Sequence, residues 1–456
     1  MTTALKDLLA CPRCDKALDG VTAGWRCAGC NVEFPDLAGI PWLFAEPAAS
    51  RSEWRQRLDF LLRRLEQDVQ RLDQTLESQT TLLAVTAERL ERIKLAVADH
   101  ARRLELLLEP LRGHEPAAGY ETYLALRTRL PPDQGLTTYY PNLHRDWCWG
   151  EEENSAALAL LEPGFEALGD TPNILVLGSG AGRLAYDVHA QYSPAMTVAL
   201  DFNPLFQLAV QKITTGGSFE LYEFPLAPRA SRDHAVLREL RAPAAAPPRL
   251  HLVLADALRA PFKDASFDVI ITPWLIDILP EDFATLCPRI NRLLRPDGRW
   301  LNLGSLTFNQ VGPDKQYSPE ECAALIEAAG FAAPVFAEAT IPYMCSPASR
   351  HGRRETVLAW HVTKTGKAKR PTRYEALPDW LVKGTEPVPL LDAFRMQATT
   401  TRIYAGLMAL IDGRRTLKDM AKVLVAQRVM AAADAEPAVR QFLTKMYNDS
   451  QRAQRL

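Results

Sequence analysis

The chain lacks the marks of several protein classes. No apolar run approaches the ~20 residues that a membrane-spanning helix requires, so a membrane protein is not expected from its 456 residues. The opening segment, MTTALKDLLACPRC, has no basic stretch followed by an apolar one, so secretion is not expected either. Charge of one sign is missing too. The 53 Lys and Arg stand against 55 Asp and Glu, and the formal net charge of −2 offers no general attraction to nucleic acid or an anionic surface. Cysteine is sparse. Four of the eight cysteines fall in two close pairs, which favours metal binding in a reducing compartment over a disulfide scaffold. The cytoplasm is the expected location. Proline and glycine are absent from residues 51–109, so nothing in that stretch breaks a helix.

What is present suggests two to four domains, with an ordinary apolar fraction of 47%. Residues 1–48 carry both CxxC pairs. Residues 51–130 hold a heptad row, Leu62, Val69, Leu76, Leu83, Leu90, Val97, Leu104 and Leu111. A companion row contains Leu58, Leu65, Leu72, Gln79, Thr86, Ile93, His100 and Leu107. This spacing predicts a helical hairpin or coiled coil. A homodimer and an amphipathic helix lying on the next domain also satisfy the pattern. The hairpin is preferred because a bent pair buries its stripe without a partner chain. Residues 136–365 alternate strand-like and helical segments. Ile174–Leu177, Met196–Leu200, Leu250–Leu254, Asp268–Thr272 and Arg299–Leu303 read as strands, which predicts an α/β domain with a parallel sheet covered on both faces. Residues 385–456 follow a basic linker, KTGKAKRP, and read as a small helical or winged-helix module.

The densest motif is NILVLGSGAGRLAYD (Asn173–Asp187), followed by VALDFNP (Val198–Pro204). A buried strand running into a Gly-x-Gly-x-Gly turn and a helix, with an acid ending the next strand, describes a nucleotide-type pocket. The glycine spacing leans towards S-adenosylmethionine rather than a dinucleotide. Gly178, Gly180 and Gly182 would line the methionine moiety. Asp201 would accept hydrogen bonds from both ribose hydroxyls; Asp256 would bond the adenine amino group, with Ala257 supplying a backbone N–H. Cys11, Cys14, Cys27 and Cys30 have the spacing of two metal knuckles. Four thiolates suit a structural Zn²⁺ and leave no open position for catalysis.

With these pieces come two family resemblances and a weaker third. LLACPRCDKALDG…WRCAGCNVEFPDLAGIPWLF resembles a Trm112-like zinc ribbon, implying docking or substrate gripping; alternatively the metal staples a segment too small for its own core. From about Tyr139 to Trp360 the chain resembles the carnosine N-methyltransferase family of class I S-adenosylmethionine-dependent methyltransferases. NLHRDW, VLGSGAGRLAYD, FDVIITPWLIDI, LRPDGRWLNLGSL, YSPEECAALIEAAGF and PYMCSPAS carry that resemblance, in order, over roughly half the chain. It implies a Rossmann-like sheet and a cofactor-carboxylate role for Arg145. Asn142 stands where the family has glutamine, Asp201 where it has glutamate, and Ala257 where it has an aromatic residue. Asp277 matches the aspartate that holds the acceptor, making it the candidate catalytic residue, and Tyr343 matches a tyrosine of the acceptor pocket. Phe308-Asn309 replaces Tyr-His, and Arg353-Arg354 lies near another expected tyrosine, so Asn309 and Arg354 join the candidate acceptor residues. The tail pattern LMALIDGRRTLKDMAKVL resembles PqqD-type peptide-binding modules.

The expected activity is therefore N-methylation of a histidine-derived small molecule or a peptide-borne histidine or amide nitrogen. An RNA methyltransferase using the ribbon for binding, and a cofactor-binding scaffold without turnover, are the alternatives. Expected partners are the small-molecule or peptide acceptor, a peptide or protein at the ribbon or the tail, and a second copy through the heptads; nucleic acid is disfavoured by charge and by the lack of basic–aromatic interleaving.

Overall fold

The computed structural model describes residues 4–78, 82–113, 135–166, 168–169, 171–308, 311–369, 380 and 386–455. The chain divides into two compact units, Met1–Ala376 and Leu377–Leu456.

The first unit opens with strands β1 (Asp19–Val21), β2 (Gly24–Cys27), β3 (Val32–Leu37) and β4 (Ile40–Pro41), forming an antiparallel sheet in that order. Two long helices follow, Pro47–Ser78 and Ala84–Leu107, and pack on one another, with Lys94 Nζ 2.9 Å from Asp73 Oδ1 across the pair. Leu58, Leu61 and Leu65 of the first helix and Val97 and Leu104 of the second are buried. Their core continues into Leu143, Trp147, Tyr186 and Leu205 of the next layer. Leu83, near the far end of the pair, is 72% exposed. The heptad stripe is therefore covered where the helices lie on the rest of the unit and not along its whole length. His100, polar in an apolar row, is buried with its ring edge-on to Tyr140 at 5.4 Å and Phe224 at 5.3 Å.

The main sheet has seven strands: β5 (Asn173–Leu177), β6 (Met196–Asp201), β9 (Leu250–Leu254), β10 (Phe267–Pro273), β11 (Leu294–Gly304), β12 (Val335–Tyr343) and β13 (Arg353–Thr363). Their order is β12-β13-β11-β10-β5-β6-β9, with β13 antiparallel to both neighbours and the pairings from β11 to β9 parallel. Every residue of β5 and β6 is buried, as expected when helices cover both faces of a sheet. Between β6 and β9 a separate hairpin, β7 (Ser218–Glu223) and β8 (Val236–Arg241), is inserted. The sequence reading did not anticipate β7, β8, β12 or β13.

Edge strand β9 is not left open, which matters because an unpaired edge invites further pairing. Trp42 forms a parallel bridge with Leu254, and Leu43 N–H donates to Leu254 O at 2.7 Å. Nearby, Leu9 pairs antiparallel with Phe262, and Ala10 N–H donates to Pro261 O at 2.8 Å. Leu8, Leu9, Phe34 and Leu43 share one core with Leu177, Leu200, Phe262, Phe267 and Trp300. The N-terminal sheet is thus joined to the central one by backbone hydrogen bonds and a common interior.

The described residues of the second unit are all helical or irregular: Asp392–Ala409, Leu417–Ala426 and Ala432–Arg455 are helices around Leu407, Met420, Leu424 and Val439. Thr416 caps the middle helix in a reciprocal capping box with Asp419. Among the described residues of this unit there is no strand, so neither a wing nor a sheet for strand addition is found there.

Two outcomes test this architecture. Trp42 is 1% exposed and its Nε1 donates to Ser50 Oγ at 2.8 Å; Trp42→Ala is expected to cost ~3–5 kcal/mol in the main denaturant transition. An unchanged main transition would make the N-terminal sheet an independent module. Burial lowers His100 to about 4 and His144 to about 3. The unfolded chain therefore binds more protons than the folded one below about pH 6.5, and stability is lost as pH falls, by about 1.4 kcal/mol per pH unit for each histidine. Urea midpoints measured from pH 7 to pH 5 should decline, and His100→Phe should flatten that decline.

Candidate functional site

The turn after β5 is built from three left-handed glycines: φ is +69° at Gly178, +55° at Gly180 and +86° at Gly182. Their surroundings differ. A Cβ on Gly178 would lie 2.7 Å from Leu275 Cδ1, and one on Gly182 would lie 2.6 Å from Val210 Cγ2. At Gly180 a Cβ would meet nothing within 4 Å. The outer glycines let neighbouring elements close in, and the middle one turns bare backbone towards open space. Asp201 ends β6 beneath this turn, 5% exposed, its Oδ2 accepting from Gly180 N–H and its Oδ1 from Asn203 N–H, both at 2.8 Å. Burial pushes its carboxyl up to about 6, against the pull of those backbone donors.

A second segment closes on the turn from outside the sheet. Arg145–Trp149 winds as a single π-turn. Trp147 Nε1 donates to Ala181 O at 2.6 Å. Asp146 Oδ2 accepts from Arg183 N–H at 3.2 Å, at the start of helix Arg183–Tyr192. The Oδ1 of Asp146 takes Arg145 Nε at 2.7 Å, and Arg145 Nη1 reaches Glu153 Oε1 at 3.1 Å. Burial disfavours the Arg145 charge, but Asp146 and Glu153 outweigh it and hold the guanidinium protonated. Asn142 is half-buried one turn earlier, on the short helix Pro141–His144.

Past β9, Asp256 caps the turn Ala257–Arg259 by accepting Leu258 N–H at 2.9 Å, with burial raising its carboxyl. Ala257 is half-buried beside it. That cap uses one carboxylate oxygen of Asp256, Oδ1.

At the exit of β10, Asp277 is 2% exposed, and its Oδ2 accepts from Ser305 Oγ at 2.9 Å, Thr307 N–H at 3.0 Å and Thr307 Oγ1 at 2.9 Å. Its hydrogen bonds among the described residues are all at Oδ2. Trp274 has φ +50°, unusual for a bulky residue. Its N–H donates to Leu303 O at 2.6 Å, and a Cβ on Gly304 would come within 3.1 Å of its Cα. The Trp274 ring lies 5.2 Å from that of Tyr343, over which the Arg353 guanidinium sits at 4.4 Å. Arg354 occupies the opposite face of β13; it is exposed, with Nη2 donating to Thr340 O at 3.3 Å. Of the two arginines it is Arg353, not Arg354, that meets Tyr343. Asn309 lies outside the described residues, and Phe308 is buried against Phe283 and Tyr317. Sequence reasoning had assigned no role to Asp146, Trp147, Glu153, Trp274, Ser305 or Thr307. The RDW and SL strings carried some of them; Glu153 had no motif.

The four N-terminal cysteines converge. Their sulfurs all lie within 4.8 Å of one another, with Cys11–Cys30 at 3.6 Å and Cys14–Cys27 at 3.3 Å. A tetrahedral ion with metal–sulfur bonds near 2.3 Å needs sulfurs about 3.8 Å apart, so the donor set fits one. Arg13 N–H points to Cys11 Sγ at 3.4 Å, the backbone support expected of a thiolate knuckle.

The glycines make a stability test. Gly182→Ala forces a left-handed alanine against Val210 and should lower the denaturant midpoint by the equivalent of ~2–4 kcal/mol. Gly180→Ala meets only the backbone penalty, about 1 kcal/mol. Equal losses would contradict the division of labour described for the turn.

Comparison with known proteins agrees with this arrangement. Residues 175–301 match the family described as "Methyltransferase domain". No curated protein matches the chain. Similar solved structures include an S-adenosylmethionine-dependent methyltransferase from Methanosarcina mazei, at 13% identity over 43% of this chain and 94% of that one, TM-score 0.30. Phosphoethanolamine N-methyltransferase 2 of Haemonchus contortus aligns at 14% identity over 56% of this chain and 61% of that one, TM-score 0.34. The 1,6-didemethyltoxoflavin-N1-methyltransferase of Burkholderia thailandensis aligns at 20% identity over 56% and 94%, TM-score 0.31. The matched residues run from β5 to β11 and hold the glycine turn, Asp201, Asp256 and Asp277, so the centre of this chain is similar to a methyltransferase domain.

Proposed function

We propose that the protein transfers a methyl group to a nitrogen of a histidine-derived small molecule or of a peptide-borne histidine. The observation that carries this reading is Asp277, a buried carboxylate at the exit of β10 with one oxygen bonded by Ser305 and Thr307 and the other without a hydrogen bond among the described residues. The site fits S-adenosylmethionine. Gly180 offers unobstructed backbone, Asp201 a buried acceptor for ribose hydroxyls, and Arg145 a cation, kept protonated by Asp146 and Glu153, for the cofactor carboxylate. Asn142, Asp256 and Ala257 would complete that contact set. When bound, the cofactor supplies an already activated methyl group, so the protein has chiefly to align a nucleophile and exclude water.

An imidazole attacks through one nitrogen while the other carries a proton. Asp277 Oδ1 accepts that N–H, turning the lone pair of the first nitrogen towards the donor and stabilising the positive charge that develops. Ser305 and Thr307 hold the carboxylate in place while this happens. Tyr343 and Trp274, their rings 5.2 Å apart and tilted, would line the acceptor side. In the N-terminal cluster, Cys11, Cys14, Cys27 and Cys30 would hold a Zn²⁺ whose role is structural.

Calorimetry with S-adenosylmethionine, followed by transfer of labelled methyl into metabolite and peptide fractions, tests the reading. Asp277→Asn keeps an acceptor for Ser305 and Thr307 but loses the charge. It is expected to bind cofactor within about twofold of wild type while turnover falls about 10²–10⁴-fold. Undiminished turnover would remove Asp277 from the mechanism, and absence of cofactor binding by wild type would overturn the reading itself. Hydroxyls donating to Asp201 favour its ionised form, so affinity should weaken as pH falls through about 6, and Asp201→Asn should abolish that dependence. Chelation of the metal should lower the unfolding midpoint of the whole Met1–Ala376 unit, because the cysteines share its core; a midpoint insensitive to chelation would argue against the ion.

A further inference from the structure

Glu153 belongs to none of the motifs, yet it joins the two halves of the site. It lies on helix Glu151–Leu161 and is 5% exposed. An acid this deeply buried is costly unless fully partnered, and each of its oxygens has a different partner. Oε1 pairs with Arg145 Nη1 at 3.1 Å; Oε2 accepts Met344 N–H at 2.7 Å. Arg145, the cation proposed for the cofactor carboxylate, is itself tied through Asp146 to the first residue of helix Arg183–Tyr192. Met344 follows Tyr343 on the acceptor side and is held at φ +53°, a strained value for a residue with a side chain.

The loop that Met344 opens is fastened at its other end by a different element. Arg229 N–H donates to Ala348 O at 3.0 Å, Arg350 N–H donates to Ala227 O at 2.9 Å, and Pro228 bridges Ser349. At its near end Tyr343 closes the β12–β13 ladder opposite Arg353, and the Met344 amide just beyond that ladder is held by the same carboxylate that orients Arg145.

We propose that Glu153 is a positioning residue that couples cofactor binding to the acceptor loop. The inference rests on Arg145 contacting the cofactor, as proposed above. When Arg145 engages the cofactor carboxylate, the guanidinium is fixed, Glu153 is fixed with it, and the Met344 amide is held so that Tyr343 faces the acceptor. The chain Met344–Glu153–Arg145–Asp146–Arg183 is a continuous set of hydrogen bonds across the site, of the sort able to carry coupling between two ligands.

The test is amide hydrogen exchange of residues 343–350, with and without saturating S-adenosylmethionine, beside calorimetry with the same compound. In wild type the cofactor is expected to slow exchange at Met344 about tenfold or more. Glu153→Gln keeps the volume but has a single acceptor oxygen and cannot serve Arg145 and Met344 together. It should retain an unfolding midpoint near wild type, lose most of the cofactor-dependent protection, and bind the cofactor about tenfold more weakly. Glu153→Asp, which keeps the charge but is one methylene short, serves as a second variant with the same expected loss of protection. A purely structural role would lower the midpoint and leave the cofactor response intact. Wild-type-like protection in folded Glu153→Gln or Glu153→Asp overturns the proposal while leaving the methyltransferase reading in place. A wild type that fails to bind the cofactor overturns both.

Discussion

The first unit is organised around bare backbone at Gly180. For a ligand to approach a main chain closely, the chain must turn there without a side chain, and that turn must be held from every direction except the one left open. Gly178 and Gly182 let Leu275 and Val210 press in from two sides. Asp201 ties the turn down from β6, and Trp147 and Asp146 lash it from outside the sheet. A flexible glycine turn would spend binding energy on its own ordering. This one is ordered in advance by five contacts from four different stretches of chain.

That dependence explains which parts of the molecule could be read in advance. Buried parallel strands are continuous apolar runs, so β5, β6, β9, β10 and β11 were legible to within a few residues. Strand β12 was not. Its sequence, VFAEATIPY, mixes exposed and apolar positions and contains a proline, which is tolerated there because β12 is an edge. The β7–β8 hairpin is similarly half-exposed and offers no continuous apolar run. At the site, residues bearing a recognisable string were found. Those acting through a partner were not: Asp146 and Glu153 matter because of where Arg145 folds, which no local pattern states. The Arg353–Arg354 pair shows the limit in its simplest form. Neighbours on a strand face opposite ways, so a one-residue choice decides which reaches Tyr343.

The site also concentrates buried charge. Arg145 and Arg183 meet Asp146, Glu153 and Asp187 with little access to water. Such groups add little net stability compared with an apolar core, because desolvation offsets most of their attraction. What they contribute is direction: each charge-assisted hydrogen bond fixes an angle as well as a distance. The apolar core made by Trp300, Phe267 and their neighbours holds the sheet together, and the ionic cluster aims its loops.

The position of the cysteine-bearing sheet follows from the same need for a fixed frame. Strand β9 is the outermost parallel strand, and its carboxyl end leads directly to Asp256 and Ala257. An edge strand pairs along one side only, so its exit is the least constrained of the sheet. Trp42 and Leu43 supply the missing side at Leu254, two residues before Asp256, and Leu9 with Ala10 holds the chain again at Pro261 and Phe262. Asp256 and Ala257 therefore sit on a segment clamped before and after by the N-terminal sheet. That sheet is too small for a core of its own and shares the interior of the central one through Leu8, Leu9, Phe34 and Leu43. Two backbone pairings carry its constraint to the segment of Asp256 and Ala257, which makes the N-terminal segment part of the frame of the site.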